Sequence, residues 1–242
     1  VLNAQNVYVH PLGDIHIGHE MSDTKMFEDE LKLIPLKSNH RILLMGDLLD
    51  VGIKTAVGGS VYDNDTRINE AVKYIVKLLK PYKNQIDGLV TGNHEWRLYK
   101  ECGLDISEMI TEALDIPYMK HSGTITYSFA KRAYNVHFFH GKGGGGVENA
   151  LRNAKKMSNK VLADVYLMGH VHAIAKSKRQ FKIPDSRNGI VTEITQHFVL
   201  TGHCLNYDDS YADQMNLEIN TKGFIALLLH GDTPLKYIEV IE

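Results

Sequence analysis

The sequence predicts a mixed α/β fold in which two mixed β-sheets pack face to face with helices outside. Three observations predict it. Strand-like and helix-like runs alternate through the first half, and consecutive strand-like runs dominate the second. Short polar clusters also follow apolar runs, and the loops beyond strand C-termini are where an α/β sheet keeps a binding crevice. The 242 residues are 43% apolar and 23% charged, with no internal repeat or long linker, so a single domain over 1–242 is expected.

Taken in order, NVYVH at 6–10 reads as a strand. Residues 22–35 read as a helix that starts at Ser22 or Asp23 and places Met26, Leu31 and Leu33 for burial. A strand follows at 41–45. The next helix, 67–80, lines up Ile68, Val72, Ile75, Val76 and Leu79. Strand-like runs at 86–91, 124–129 and 134–139 surround a helix at 105–115. A helix at 147–158 precedes strands at 164–168, 190–200, 223–229 and 235–241. The Met, Leu and Val stripes read as core.

The longest apolar runs, such as FIALLL at 224–229, are strand-sized and far short of the roughly 18–20 residues of a membrane span. No membrane association is expected. Cys102 and Cys204 form no disulfide framework or Cys-x-x-Cys pair, so a reduced, cytoplasmic setting is the default. No charged leader with an apolar stretch opens the sequence; no signal peptide is expected, and the absent initiator Met fits a trimmed start. Charge is uneven. Residues 142–187 carry ten Lys/Arg against three acids, a net +7 in a chain whose total is −2. This is either a solvated helix face with a polar hairpin or a basic flank for a polyanion.

The polar clusters are GDIHIGH at 13–19, GDLLD at 46–50, GNHEWR at 92–97, FFHGKGG at 138–144 and GHVHA at 169–173. Singly, each has a structural reading as a turn or a cap. Jointly they supply Asp14, His16, Asp47, Asn93, His140, His170 and His172, the carboxylate, amide and imidazole groups that hold divalent metals. Asp47 is the natural bridge, since one carboxylate can bind two cations about 3.5–4 Å apart. The absence of thiolate argues against a structural zinc site. It leaves two divalent ions, with Mn²⁺ the first expectation and Fe, Zn, Co or Ni admitted.

In this order the five clusters resemble the signature of the calcineurin-like metallophosphoesterases, over residues 13 to 173. The last seventy residues carry no family motif. The resemblance implies a four-layer sandwich with the metal site in loops at strand C-termini. It implies one metal on Asp14, His16, Asp47 and His172, and the other on Asp47, Asn93, His140 and His170. It makes His94 the general acid at the leaving-group oxygen and Asp50 the carboxylate that orients it. Two ions would activate a shared water for in-line attack on a phosphoester. Lys142, His19 and Arg97 are candidate substrate contacts, with Arg97 and Glu95 more often structural. His203 is a weaker candidate, and His10, His137, His197 and His230 lack ligand spacing.

The departures bear on substrate. Protein Ser/Thr phosphatases carry an Arg where this chain has Val51, and purple acid phosphatases carry a Tyr where it has Asp50. The polar insertion 52–67 is either a lid or a surface loop, with Tyr62 and Arg67 as candidate contacts. The first expectation is a phosphodiesterase or nuclease acting on nucleic acid or nucleotides. A phosphomonoesterase is the alternative. A non-catalytic scaffold subunit is disfavoured because every ligand position is filled.

Overall fold

The computed structural model describes residues 2–52, 66–142, 146–207, 219–233 and 235–242. Tyr62, most of the 52–67 insertion and the glycines at 143–145 lie outside the described residues. In chain order the first elements are β1 (Asn6–Leu12), α1 (Thr24–Leu33), β2 (His40–Leu44), α2 (Ile68–Leu79), β3 (Ile86–Leu89), α3 (Asn93–Cys102) and α4 (Ile106–Leu114). They are followed by β4 (Ser122–Phe129), β5 (Arg132–Phe139), α5 (Gly146–Met157), β6 (Val165–Met168), β7 (Ile174–Asp185) and β8 (Ile190–His203). The short β9 (Gly223–Phe224), β10 (Ala226–His230) and β11 (Tyr237–Ile241) complete the chain.

The strands form two mixed sheets, ordered β11-β10-β1-β2-β3 and β4-β5-β6-β8-β7, with β9 paired to β8. The period-2 alternation of strands decides which face each side chain meets. In β2, Ile42 and Leu44 pack under α1, α2 and α4, while Leu43 and the following Met45 enter the core between the sheets. In β6, Val165 and Leu167 face that same inter-sheet core, and Tyr166 and Met168 pack against α5 through Ala150 and Ala154. The result is helix, sheet, sheet, helix: the four-layer sandwich expected from the sequence.

Local signals explain the helix ends. Asp23 caps α1 by accepting the Met26 amide at 3.0 Å, and Asp105 caps α4 by accepting that of Glu108 at 3.1 Å. Leu31 is buried as expected, but Leu33 is 74% exposed, and Phe27 takes the core position instead. Met26 packs at the margin of the core, so only Leu33 leaves the stripe read from sequence. In α2 the fully buried residues are Ala71, Ile75 and Leu79, with Ile68, Val72 and Val76 at the margin.

Two elements depart from the sequence reading more strongly. α3 starts inside the GNHEWR cluster, and its only fully buried side chain is Glu95, so it has no apolar stripe to reveal it. β7 carries Lys176, Lys178, Arg179 and Lys182 and buries none of its residues fully, because it is an outer strand of its sheet. The run at 223–229 is broken at Ile225, which separates β9 from β10.

Candidate metal centre

β1, β2 and β3 are mutually parallel in one sheet, and β5, β6 and β8 in the other. Each of the five polar clusters follows one of these strands, so all five emerge along the C-terminal rims. Bonds between rims fix them together. Asp14 N donates to Gly46 O at 3.0 Å and His16 N to Asp47 O at 3.0 Å. Across the sheets, His170 N donates to Asp14 Oδ2 at 2.8 Å and His140 Nδ1 to Met45 O at 2.9 Å.

The loops approach so closely that side chains are excluded at specific positions. A Cβ on Gly92 would lie 2.0 Å from Asp47 Oδ1, and one on Gly169 would lie 2.6 Å from Asp14 Oδ2. Conversely, Asp14, His16, Asp47, His170 and His172 all adopt positive φ, between 48° and 74°. Glycine would occupy that conformation without strain; a side chain there costs on the order of 1–3 kcal/mol. Five of the seven sequence-predicted ligands thus sit where the backbone disfavours any side chain.

Their donor atoms converge. Three groups, Asp14–His16–His172, His16–Asp47–His94 and Asp47–His140–His170, each hold ligand atoms within 4.8 Å of one another. His16 Nε2 and His172 Nε2 are 3.1 Å apart, and His172 Nε2 lies 3.6 Å from Asp14 Oδ1. His140 Nε2 lies 3.1 Å from Asp47 Oδ2 and 3.0 Å from Asn93 Oδ1. Asp47 therefore stands between both ends of the cluster, 3.9 Å from His16 Nε2 through the same oxygen.

The donor set fits divalent cations. Asp14 Oδ1 is buried with no hydrogen-bond donor among the described residues, and two imidazole nitrogens confront each other beside it. A cation would satisfy all three, whereas a buried unpaired polar atom is costly. The His140 Nδ1–H bond to Met45 orients the ring so that Nε2 faces Asp47 and Asn93. Burial opposes charge on Asp14 and Asp47, yet His172 and His140 for Asp14, and His140 and His94 for Asp47, hold both carboxyls below their ordinary range. Burial likewise opposes protonation of His140, but Asp47 and Asp14 push it up to about 10. Burial and His94 bring His16 down to about 4.

His94 and Asp50 form a dyad at the edge of the cluster, Nδ1–H donating to Oδ1. Asp50 also lies 3.8 Å from His16 Nδ1. Burial works against the His94 charge, but Asp47 and Asp50 outweigh it and raise its pKa. Arg97, one helical turn on, places Nη1 3.3 Å from the His94 ring. Glu95 points the other way. Its carboxylate accepts the amides of Asp47 (3.1 Å), Leu49 (3.0 Å) and Gly92 (3.1 Å), tying the second and third clusters together. Burial, with Asp47 nearby, pushes it up to about 7.

The remaining candidates are more peripheral. His19 is half-buried and uses Nδ1 locally to accept the Met21 amide at 3.0 Å. Lys142 is exposed just beyond the His140 loop, and Arg67 is exposed at the start of α2. Val51 is wholly buried. His203, a weak sequence candidate, comes to the cluster: its ring stacks on His172 at 5.3 Å between centroids. Its only sequence signal was a histidine after a Thr-Gly turn.

The architecture and the ligand cluster together match what the motif resemblance implies. The fold is the four-layer sandwich that the resemblance implies. No family model matches the chain, and no curated protein does. Solved structures similar to it include a metallophosphoesterase from Sphaerobacter thermophilus (12% identity, TM-score 0.44, covering 98% of this chain and 89% of that one). Another is a predicted phosphoesterase from Streptococcus pneumoniae (10%, 0.42, 97% and 88%). A third is the Vps29 protein of Entamoeba histolytica complexed with Zn²⁺ (13%, 0.42, 97% and 98%). Likenesses of this size carry no information about activity. Among the described residues no helix is long and apolar enough to cross a membrane.

Proposed function

We propose that the chain is a binuclear-metal phosphoester hydrolase that prefers diesters of the nucleotide class. The observation that carries the reading is the shared position of Asp47, with Asp14, His16 and His172 toward one side and His140, His170 and Asn93 toward the other. Asp14, His16, Asp47 and His172 would hold one ion, and Asp47, Asn93, His140 and His170 the second. Bound there, divalent cations act as Lewis acids on phosphoryl oxygens and lower the pKa of water toward neutrality. Mn²⁺ is the first expectation for both.

The protein groups around them have distinct tasks. Asp50 holds the His94 ring by Nδ1, which aims Nε2 toward Asp47 Oδ2, 3.9 Å away, and hence toward the edge of the cluster. His94 Nε2 donates a proton to the departing ester oxygen, a role worth typically 10²–10⁴-fold in rate. Arg97, and Lys142 from the neighbouring loop, supply positive charge for the non-bridging oxygens. Glu95 binds no substrate; it stiffens the two loops that carry Asp47 and His94.

The diester preference rests on Val51, which leaves no Arg at the position where the protein phosphatases grip a dianionic monoester. The basic segment supports nucleic acid less well than its charge suggests, because Lys176 and Lys182 are paired with Glu242 and Glu193. A small diester or nucleotide is therefore favoured over a long polymer. The test is Mn²⁺-dependent turnover of bis-p-nitrophenyl phosphate against p-nitrophenyl phosphate, then single-stranded and duplex DNA. Faster monoester cleavage would transfer the reading to a phosphatase. No turnover of any ester with two ions bound would favour the scaffold alternative.

A further inference from the structure

Three imidazoles of the cluster have polar groups against their ring nitrogens. His140 is fixed by Met45 O, and His94 by Asp50, while His16 is enclosed by Asp47 and Asp50. His172 differs. Its side chain is 31% exposed, against 3% for His16 and 4% for His140. The His16 ring meets it edge-on at 5.0 Å, and the ring stacked on its face is that of His203, at 5.3 Å between centroids and an interplanar angle of 23°.

His203 is itself firmly placed. It ends β8 and is 6% exposed. Its Nδ1 accepts the amide of Leu205 at 3.1 Å, which fixes the ring plane. The following residues cross onto the first sheet's loops. Cys204 N donates to Asp14 O at 3.2 Å, Asp23 N donates to Cys204 O at 2.8 Å, and Asn206 N donates to Met21 O at 2.9 Å. The segment that carries His203 is thus bonded to the loop that carries Asp14 and His16.

We propose that His203 is a positioning residue for His172, holding that imidazole by ring stacking with Nε2 turned toward His16 and Asp14. The proposal rests on the binuclear reading and adds an asymmetry to it. The Asp14–His16–His172 end leans on a side chain outside the five motifs, whereas at the other end His140 is held by a backbone carbonyl, that of Met45. Loss of an outer group that orients a metal ligand typically costs about 10–100-fold in metal affinity.

The test separates the ring from the hydrogen bond. His203→Phe keeps an aromatic face but loses the acceptor for Leu205 N; His203→Asn keeps an acceptor but loses the ring. Mn²⁺ titration by calorimetry, with electron paramagnetic resonance to distinguish coupled pairs from single ions, reads both sites without any turnover. Expected is wild-type protein with two ions as a coupled pair, and His203→Phe close to it. His203→Asn and His203→Ala should bind one ion normally and the second about 10–100-fold more weakly, with a single-ion spectrum. The retained first ion reports that the variant is folded. Two normal ions in His203→Ala, or a normal Asn variant beside a defective Phe variant, would overturn the stacking role alone. A single site in the wild type would overturn the binuclear reading, and this proposal with it.

Discussion

The metal rim and the β7 strand are both rich in charged or ionisable side chains, but they accommodate them in opposite ways. At the rim, Asp14, Asp47 and Asp50 are almost wholly buried, with histidines as their neighbours and strained backbone beneath two of them. Along β7, Lys176 and Glu242 are each about half exposed, at 50% and 51%, and Lys182 and Glu193 at 70% and 73%. Charge on an outer strand guards it against pairing with another sheet, and there it costs little. Charge at the rim is expensive to bury and to hold at positive φ. The same residue types therefore indicate a ligand in one region and solubility in the other, and burial is what separates them.

The sharpest way to break this comparison is Asp47→Asn. If Asp47 bridges two ions, the variant should lose more metal affinity than the roughly 10–100-fold typical of outer-shell groups, and nearly all turnover. Metal analysis after Mn²⁺ reconstitution should fall from about two equivalents per chain toward none. A variant that keeps two ions would show that a rim carboxylate can be as dispensable as a surface one.

His94→Ala comes next. Turnover of alkyl phosphodiesters should drop by roughly 10²–10⁴-fold while metal content stays near normal, because the ring donates a proton and does not coordinate. The loss should shrink for p-nitrophenyl esters, whose leaving group needs little protonation. Equal losses on both ester types would assign His94 to positioning instead.

Not every buried histidine marks a ligand, and His10 sharpens the point. It lies 3.1 Å from His40 with no carboxylate in the pair. Burial, with His40 beside it, lowers its pKa from 6.5 to about 4. Between those values the unfolded chain binds a proton that the folded chain refuses, so stability rises with pH through the window and is lost as pH falls from about 6.5 toward 4. Denaturant unfolding of the metal-free protein at pH 7 and pH 5 should show this loss, and His10→Gln should reduce it by about 1 kcal/mol or more. An unchanged pH slope would place the effect on other histidines whose protonation burial opposes, among them His197 and His137 as well as His16.

The sequence exposed the rim because each cluster follows an apolar run and sets a glycine beside one candidate ligand, a local pattern that needs no knowledge of pairing. Asp50 was legible only through the family resemblance, from its place three residues after Asp47. What could not be read depends on distant contacts. α3 buries Glu95 in place of an apolar stripe, so its helix leaves no periodic trace. Leu33 and Phe27 are both apolar, and only the direction from which the sheet meets α1 decides which of them is buried. β7 is visible only as the partner of β8. His203 meets His172 because β8 runs past β6 to the rim, a matter of strand length and register.

The smallest effect is expected where the sequence alone drew most attention to charge. Neutralising Lys176, Lys178, Arg179 and Lys182 removes four cations from β7. Three of them already have partners: Lys176 with Glu242, Lys182 with Glu193, and Arg179 with Gln196 Oε1 at 2.7 Å and Ser158 Oγ at 2.9 Å. A phosphate would have to displace those partners before it gained a contact. Each phosphate contact adds about 0.7–0.9 to the slope of log affinity against log salt, so the quadruple variant should flatten that slope for an oligonucleotide by about one such step, from Lys178. Hydrolysis of a small diester should be unchanged, since the rim and His94 are untouched. A slope reduced by three or four such steps would mean that the acids release their lysines to nucleic acid, and that β7 is a binding surface after all.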